Sequence, residues 1–92
     1  MVNDTIQTKH PAGKTGRAIS RHKYEAVRNA MMAALRGREL THTELMSALQ
    51  QKLKRSFDGN ISWYGETVKL DLEARKTVER TDSKPQRYRL RG

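Results

Sequence analysis

Cysteine is missing altogether from this 92-residue chain, so neither a disulfide framework nor a thiolate zinc site can hold it together. The three histidines, His10, His22 and His42, do not compensate, because their separations match no metal-ligand spacing; no metal and no cofactor is expected. No apolar run approaches the ~20 residues that a spanning helix needs. The polar N-terminal stretch from Asn3 to Lys9 has no signal-peptide character, so a reduced cytoplasmic setting and no membrane partner are expected. Acidic residues are outnumbered, 10 against 19 Lys and Arg, for a net charge of +9 and a pI near 10.4. That excess favours polyanions, nucleic acid before an anionic membrane surface.

What is present fits one domain, able to bury roughly 60 to 70 per cent of its unfolded surface. Residues 1–18 lack apolar periodicity and carry Pro11, Gly13 and Gly16, which predicts a flexible basic arm ahead of a folded domain over 19–92. Within the arm, Gly13-Lys14-Thr15 has the end of a phosphate-binding loop but not its beginning. Thr8 stands where the pattern requires glycine, and no apolar strand precedes it.

A first helix is predicted from Ser20, an N-cap residue, to Gly37, with Tyr24, Val27, Met31, Ala34 and Leu35 as its apolar stripe. A second is announced by Leu40-Thr41-His42-Thr43-Glu44, where Thr41 with Glu44 forms a capping box, or Thr43 is the cap instead. Leu45, Leu49 and Leu53 give its stripe. A third helix, opening after Asn60 or Ser62, runs to about Arg75 with Ile61, Tyr64, Gly65, Val68 and Leu72 on one face. Thr77–Arg80 and Tyr88–Leu90 then alternate as half-buried strands around the turn Asp82-Ser83-Lys84-Pro85. A short strand near Leu40 would complete their sheet. Val27, Met31, Leu35, Leu45, Leu49, Val68 and Leu72 are the expected core.

A helix feeding a basic hairpin in this way resembles the winged helix-turn-helix superfamily from about Ser20 to Leu90. Leu72-Glu73-Ala74-Arg75-Lys76-Thr77-Val78-Glu79-Arg80 is similar to the run that ends the recognition helix and opens the wing in many bacterial regulators. Lys76 stands where glycine is usual. The chain also resembles small stand-alone bacterial winged-helix proteins of uncharacterised function. The resemblance implies a mainly α fold with a small β-hairpin (α+β), the third helix in a major groove and the wing on phosphates.

Carried onto this sequence, that arrangement makes Ser62, Glu66, Lys69 and Glu73 groove-facing and gives Lys84, Arg87, Arg89 and Arg91 to phosphate contact. The expected function is a small protein that binds double-stranded DNA, a DNA-associated regulator that contacts phosphates through its basic wing and basic arm. Trp63 and Leu70 fall on the same outward face, which a DNA reader would make polar. Either the arm or the 55–60 loop covers them, or they meet a partner, a second copy or another protein. The alternative function is therefore an association module. No catalytic constellation is seen: Asp71 and Glu73, two apart on a helix, do not face each other, and no serine has a nucleophile's surroundings. An enzyme is not expected.

Overall fold

A computed structural model describes residues 4–91. It comprises three helices and two small antiparallel sheets. Strands β1 (Thr5–Gln7) and β2 (Ala18–Ser20) pair in the register Thr5↔Ser20, Ile6↔Ile19, Gln7↔Ala18. Helix α1 (Arg21–Leu35) follows at once, with the Ser20 hydroxyl accepting from the Lys23 N–H. β3 (Leu40–Thr41) leads into α2 (His42–Leu53), and α3 (Ile61–Ala74) is capped by the Asn60 carboxamide oxygen, which accepts from the Trp63 N–H at 2.9 Å. β4 (Val78–Arg80) and β5 (Arg87–Leu90) close the chain, in a second sheet ordered β3-β5-β4.

Local chemistry explains the boundaries. At the start of α2 both halves of a capping box are present: the Thr41 hydroxyl accepts from the Glu44 N–H, and the Glu44 carboxylate accepts from the Thr41 N–H. That bond holds the Glu44 carboxyl below its ordinary range. Thr41, not Thr43, is thus the cap. The end of α3 is a Schellman turn, in which Lys76 N–H donates to Glu73 C=O and Thr77 N–H to Leu72 C=O. The turn forces Lys76 to a φ of 67°, a conformation that strains any residue with a Cβ. Lys76→Gly should therefore raise the unfolding free energy by about 0.5–1 kcal/mol. Chemical denaturation of both proteins checks this; a less stable variant would mean that the Lys76 side chain has a structural use.

The core lies among the three helices and the inner face of the second sheet. All seven expected core residues are at most 2% exposed, joined by Tyr24, Ala34, Leu53, Ile61, Val78 and Tyr88. Gly65 lets α2 approach α3: a Cβ there would stand 2.8 Å from Met46 Sδ and 2.9 Å from Leu49 Cδ1.

The N-terminal segment differs from expectation. Residues 1–3 of the expected arm lie outside the described residues, but 4–18 are built into the fold rather than forming an arm. Ile6 and Ile19 face each other across β1 and β2 and pack on the core. Thr8 is buried: its N–H donates to Arg17 C=O at 2.8 Å, and its hydroxyl accepts from the Arg17 N–H at 2.7 Å. Gly16 sits so close to Thr8 C=O that no side chain would fit. Two three-residue strands are too short to show as periodicity, and the intervening Pro and Gly serve the turn instead of disorder.

Candidate nucleic-acid interface

Helix α3 buries three of its sides. Ile61, Gly65, Val68 and Leu72 face α1 and α2, while Asp71 turns toward the β1–β2 hairpin and Lys69 and Glu73 toward the second sheet. The two polar sides each centre on a buried charge.

Asp71 is wholly buried. Its Oδ1 accepts from the backbone N–H of Lys9 at 2.8 Å, and its Oδ2 accepts from Tyr24 Oη at 2.5 Å and Arg75 Nε at 2.8 Å. One carboxylate thereby joins the hairpin, α1 and the end of α3. Burial, reinforced by the Asp71 hydrogen bond, pushes the Tyr24 phenol up to about 12. A folded-state value above the unfolded one of about 10 favours the neutral phenol in the fold. The resulting stability is complete below about pH 10 and is lost as the pH rises toward 12. Accordingly, the stability advantage of the wild type over Tyr24→Phe should shrink between pH 10 and 12, as urea midpoints can show; a constant gap would refute the coupling.

Lys69 was expected on the groove-facing surface and is instead 3% exposed. Its ammonium donates to His42 Nδ1 at 3.0 Å, lies 3.4 Å from Glu66 Oε1 and sits 4.1 Å over the Tyr88 ring. An ammonium has only donors, so His42 Nδ1 must be the acceptor. The correction has a simple cause. Position 69 sits one residue past Val68, on the flank of α3 that the β3-β5-β4 sheet covers, and cation–π and ionic partners there compensate the buried charge. Glu73, also expected toward the groove, is buried too, its two oxygens taken by Arg80 in a fork of 2.6 and 3.0 Å. The Arg80 guanidinium, its pKa raised by that bond, also lies 5.4 Å from the Tyr88 ring.

The remaining expected contact residues divide. Ser62 is exposed and accepts from Gln50 Nε2 at 3.2 Å. Arg89 is exposed, but Glu79 and Glu39 hold its guanidinium at 2.7 and 2.8 Å. Lys84 and Arg91 are exposed and Arg87 half-buried, and none of these three enters an ion pair among the described residues. The hairpin tip that presents Lys84 is tied down: Thr81 N–H donates to Arg87 C=O, Arg87 N–H to the Thr81 hydroxyl, and Ser83 Oγ to Pro85 C=O. Trp63 is 43% exposed, the one large hydrophobic so exposed among the described residues, and Leu70 is half-buried.

Sequence reasoning missed the hairpin loop, which brings Lys9, Lys14 and Arg17 to the surface beside the C-terminal end of α3. It also missed Asp71 as an organising charge. A carboxylate next to Leu72, inside the apolar pattern of α3, was the available signal.

Residues 5–88 match the model of a family of unknown function, DUF6958. The chain belongs to DUF6958. No curated protein and no solved structure matches it. DUF6958 membership covers the hairpin as well as the helices, so the segment first read as an arm falls within the family's extent. Among the described residues no group of three or more His, Asp or Glu could hold a metal ion, and no helix is long and apolar enough to cross a membrane.

Proposed function

We propose that this DUF6958 chain is a winged helix-turn-helix that holds duplex DNA through its phosphates, without reading base edges. The element order supports the fold assignment: α2 and α3 form the helix pair, β4 and β5 the wing, and β3 the third strand of its sheet.

The observation that carries the function is the distribution of paired charge. Among the described residues, ion pairs engage Asp4, Glu39, Glu66, Asp71, Glu73 and Glu79, six of the ten carboxylates. They occupy only five of the 19 Lys and Arg: Arg21, Lys69, Arg75, Arg80 and Arg89. Two of these acids, Asp71 and Glu73, are buried, and 14 of the 19 Lys and Arg stay outside ion pairs among the described residues. Of the cations Lys84, Arg87 and Arg91, Arg87 lies near Glu44, an acid outside the ion pairs, and Asp82 is the acid of the hairpin turn itself. By contrast, the outward side of α3 carries Ser62, Trp63, Glu66, Thr67, Leu70 and Ala74, with none of the Arg, Lys, Asn or Gln that make bidentate base contacts.

Phosphate-directed binding has a recognisable consequence. Fluorescence anisotropy with AT-rich and GC-rich duplexes of equal length should give affinities within a few-fold of each other. Preference for one duplex by more than about 100-fold, a span of several kcal/mol that backbone contacts do not supply, would contradict it.

A further inference from the structure

We propose that His42 is a proton-operated latch: neutral, it holds the Lys69 ammonium inside the fold, and protonated, it releases Lys69 toward solvent and pairs with Glu66 instead. In the closed arrangement Lys69 Nζ lies 3.0 Å from His42 Nδ1, 3.4 Å from Glu66 Oε1 and 4.1 Å from the centre of the Tyr88 ring. Because Nδ1 accepts, the ring proton is on Nε2, which faces Glu66 Oε2 at 3.6 Å. The His42 and Glu66 side chains are nearly half exposed, whereas that of Lys69 is 4% exposed. The ammonium is therefore held just under two residues that solvent reaches.

A second proton can enter the ring only at Nδ1, the nitrogen that holds Lys69. An imidazolium has no acceptor left, so the charged ring and the Lys69 hydrogen bond exclude each other. At the same time the Nε2–H becomes half of an ion pair with Glu66, and Lys69 has to share the one carboxylate it had. The other charges around the cluster cannot take its place. Glu73 is held by Arg80 of β4, which lies over the same Tyr88 ring. Glu44, on α2 itself, is bonded to the Thr41 N–H and has Arg87 of β5 and Arg38 nearby. His42 also opens α2, where the positive end of the helix adds to the repulsion between ring and ammonium. The long stem of Lys69 lets its head reach water while its methylenes stay against Tyr88.

The consequence for DNA rests on the phosphate-binding proposal. Opening the latch adds one positive charge, neutralises Glu66 on the outward side of α3 and brings to the surface a cation that the closed fold hides. Duplex binding should therefore tighten through His42 as the pH falls.

Histidine is the side-chain type that ordinarily changes charge between about pH 5 and 8, which sets the range to scan. Without DNA, NMR should find the Lys69 Cε protons shifted upfield by the Tyr88 ring at about pH 8. On acidification they should move downfield along the same curve as the His42 Cε1 proton. In His42→Asn, whose amide oxygen can replace Nδ1 as acceptor but takes up no proton, they should stay where they were. Lys69 signals that stay fixed in the wild type, or follow a curve other than that of His42, overturn the latch, as does an equal movement in His42→Asn. Anisotropy at about 0.15 M salt carries the second test. From about pH 8 to 5.5 the wild type should gain about fivefold more duplex affinity than His42→Asn, the worth of one phosphate contact. His10 and His22 are common to both proteins, so the comparison isolates His42. An equal gain in both overturns the link to DNA. Absence of duplex binding at either pH overturns the phosphate-binding proposal instead, and the Lys69 and His42 curves still decide the latch.

Discussion

Replacing Asp71 with alanine should lower the unfolding free energy by about 3–5 kcal/mol, the usual cost of removing one member of a buried charge network. The substitution strips acceptors from three donors at once: the Lys9 N–H, the Tyr24 hydroxyl and the Arg75 guanidinium. Tyr24 is 4% exposed and has no water with which to replace the bond. For a domain of this size each kcal/mol is worth roughly 4–8 °C in Tm, so the variant should melt well over ten degrees lower. Asp71→Asn keeps the shape and one acceptor oxygen, and should fall between the two. In the Asn variant hydrogen exchange should speed up most at Lys9 and along β1 and β2, because Asp71 anchors the hairpin to α3. Uniform acceleration across all three helices, with no excess at the hairpin, would show that Asp71 serves overall stability without that anchoring.

The second large effect concerns the β4–β5 hairpin, the proposed wing. Neutralising Lys84, Arg87 and Arg91 together by glutamine substitution should flatten the log–log dependence of duplex affinity on salt by about 2–3 units, since each phosphate contact contributes about 0.9. At about 0.15 M salt the same loss corresponds to about 100-fold weaker binding. Arg89→Gln makes an informative contrast. Its guanidinium already bonds Glu39 and Glu79, and its pKa is raised by those bonds, so it should contribute less than any of the three unpaired cations. All four residues are adjacent in sequence to one another or nearly so, and only the partners found in the fold separate them. An equal loss from Arg89→Gln and from each of the others would mean that net charge alone, without placement, governs binding.

Much of the architecture was legible in the sequence because strong, repeated signals encode it. Val27, Met31 and Leu35 in α1 and Leu45 and Leu49 in α2 recur at helical spacing, and Thr41 with Glu44 announces its own cap. Lys76 at the usual glycine position marked a strained turn, and its φ of 67° is that strain. What escaped notice is tertiary in origin. β1 and β2 hold three residues each, too few for a period, and depend on the buried Thr8 and on Asp71, 62 positions from the Lys9 N–H it receives. Lys69 and Glu73 read as surface residues by residue type alone. They are interior because the sheet folds over that flank of α3 and supplies Tyr88 and Arg80 as partners. The candidate site was therefore half legible: the hairpin's cations and the apolar residues Trp63 and Leu70 on the outward side of α3 could be read from the sequence, whereas the pairing of Arg89 and the burial of Lys69 and Glu73 required the fold.

Salt titration of wild-type duplex binding tests the central claim most directly. Phosphate-held DNA predicts micromolar binding at low salt that weakens along a straight log–log line with a slope of about −3 or steeper, whatever the base composition. Binding that does not change with salt, or none at micromolar protein at any ionic strength, would contradict it.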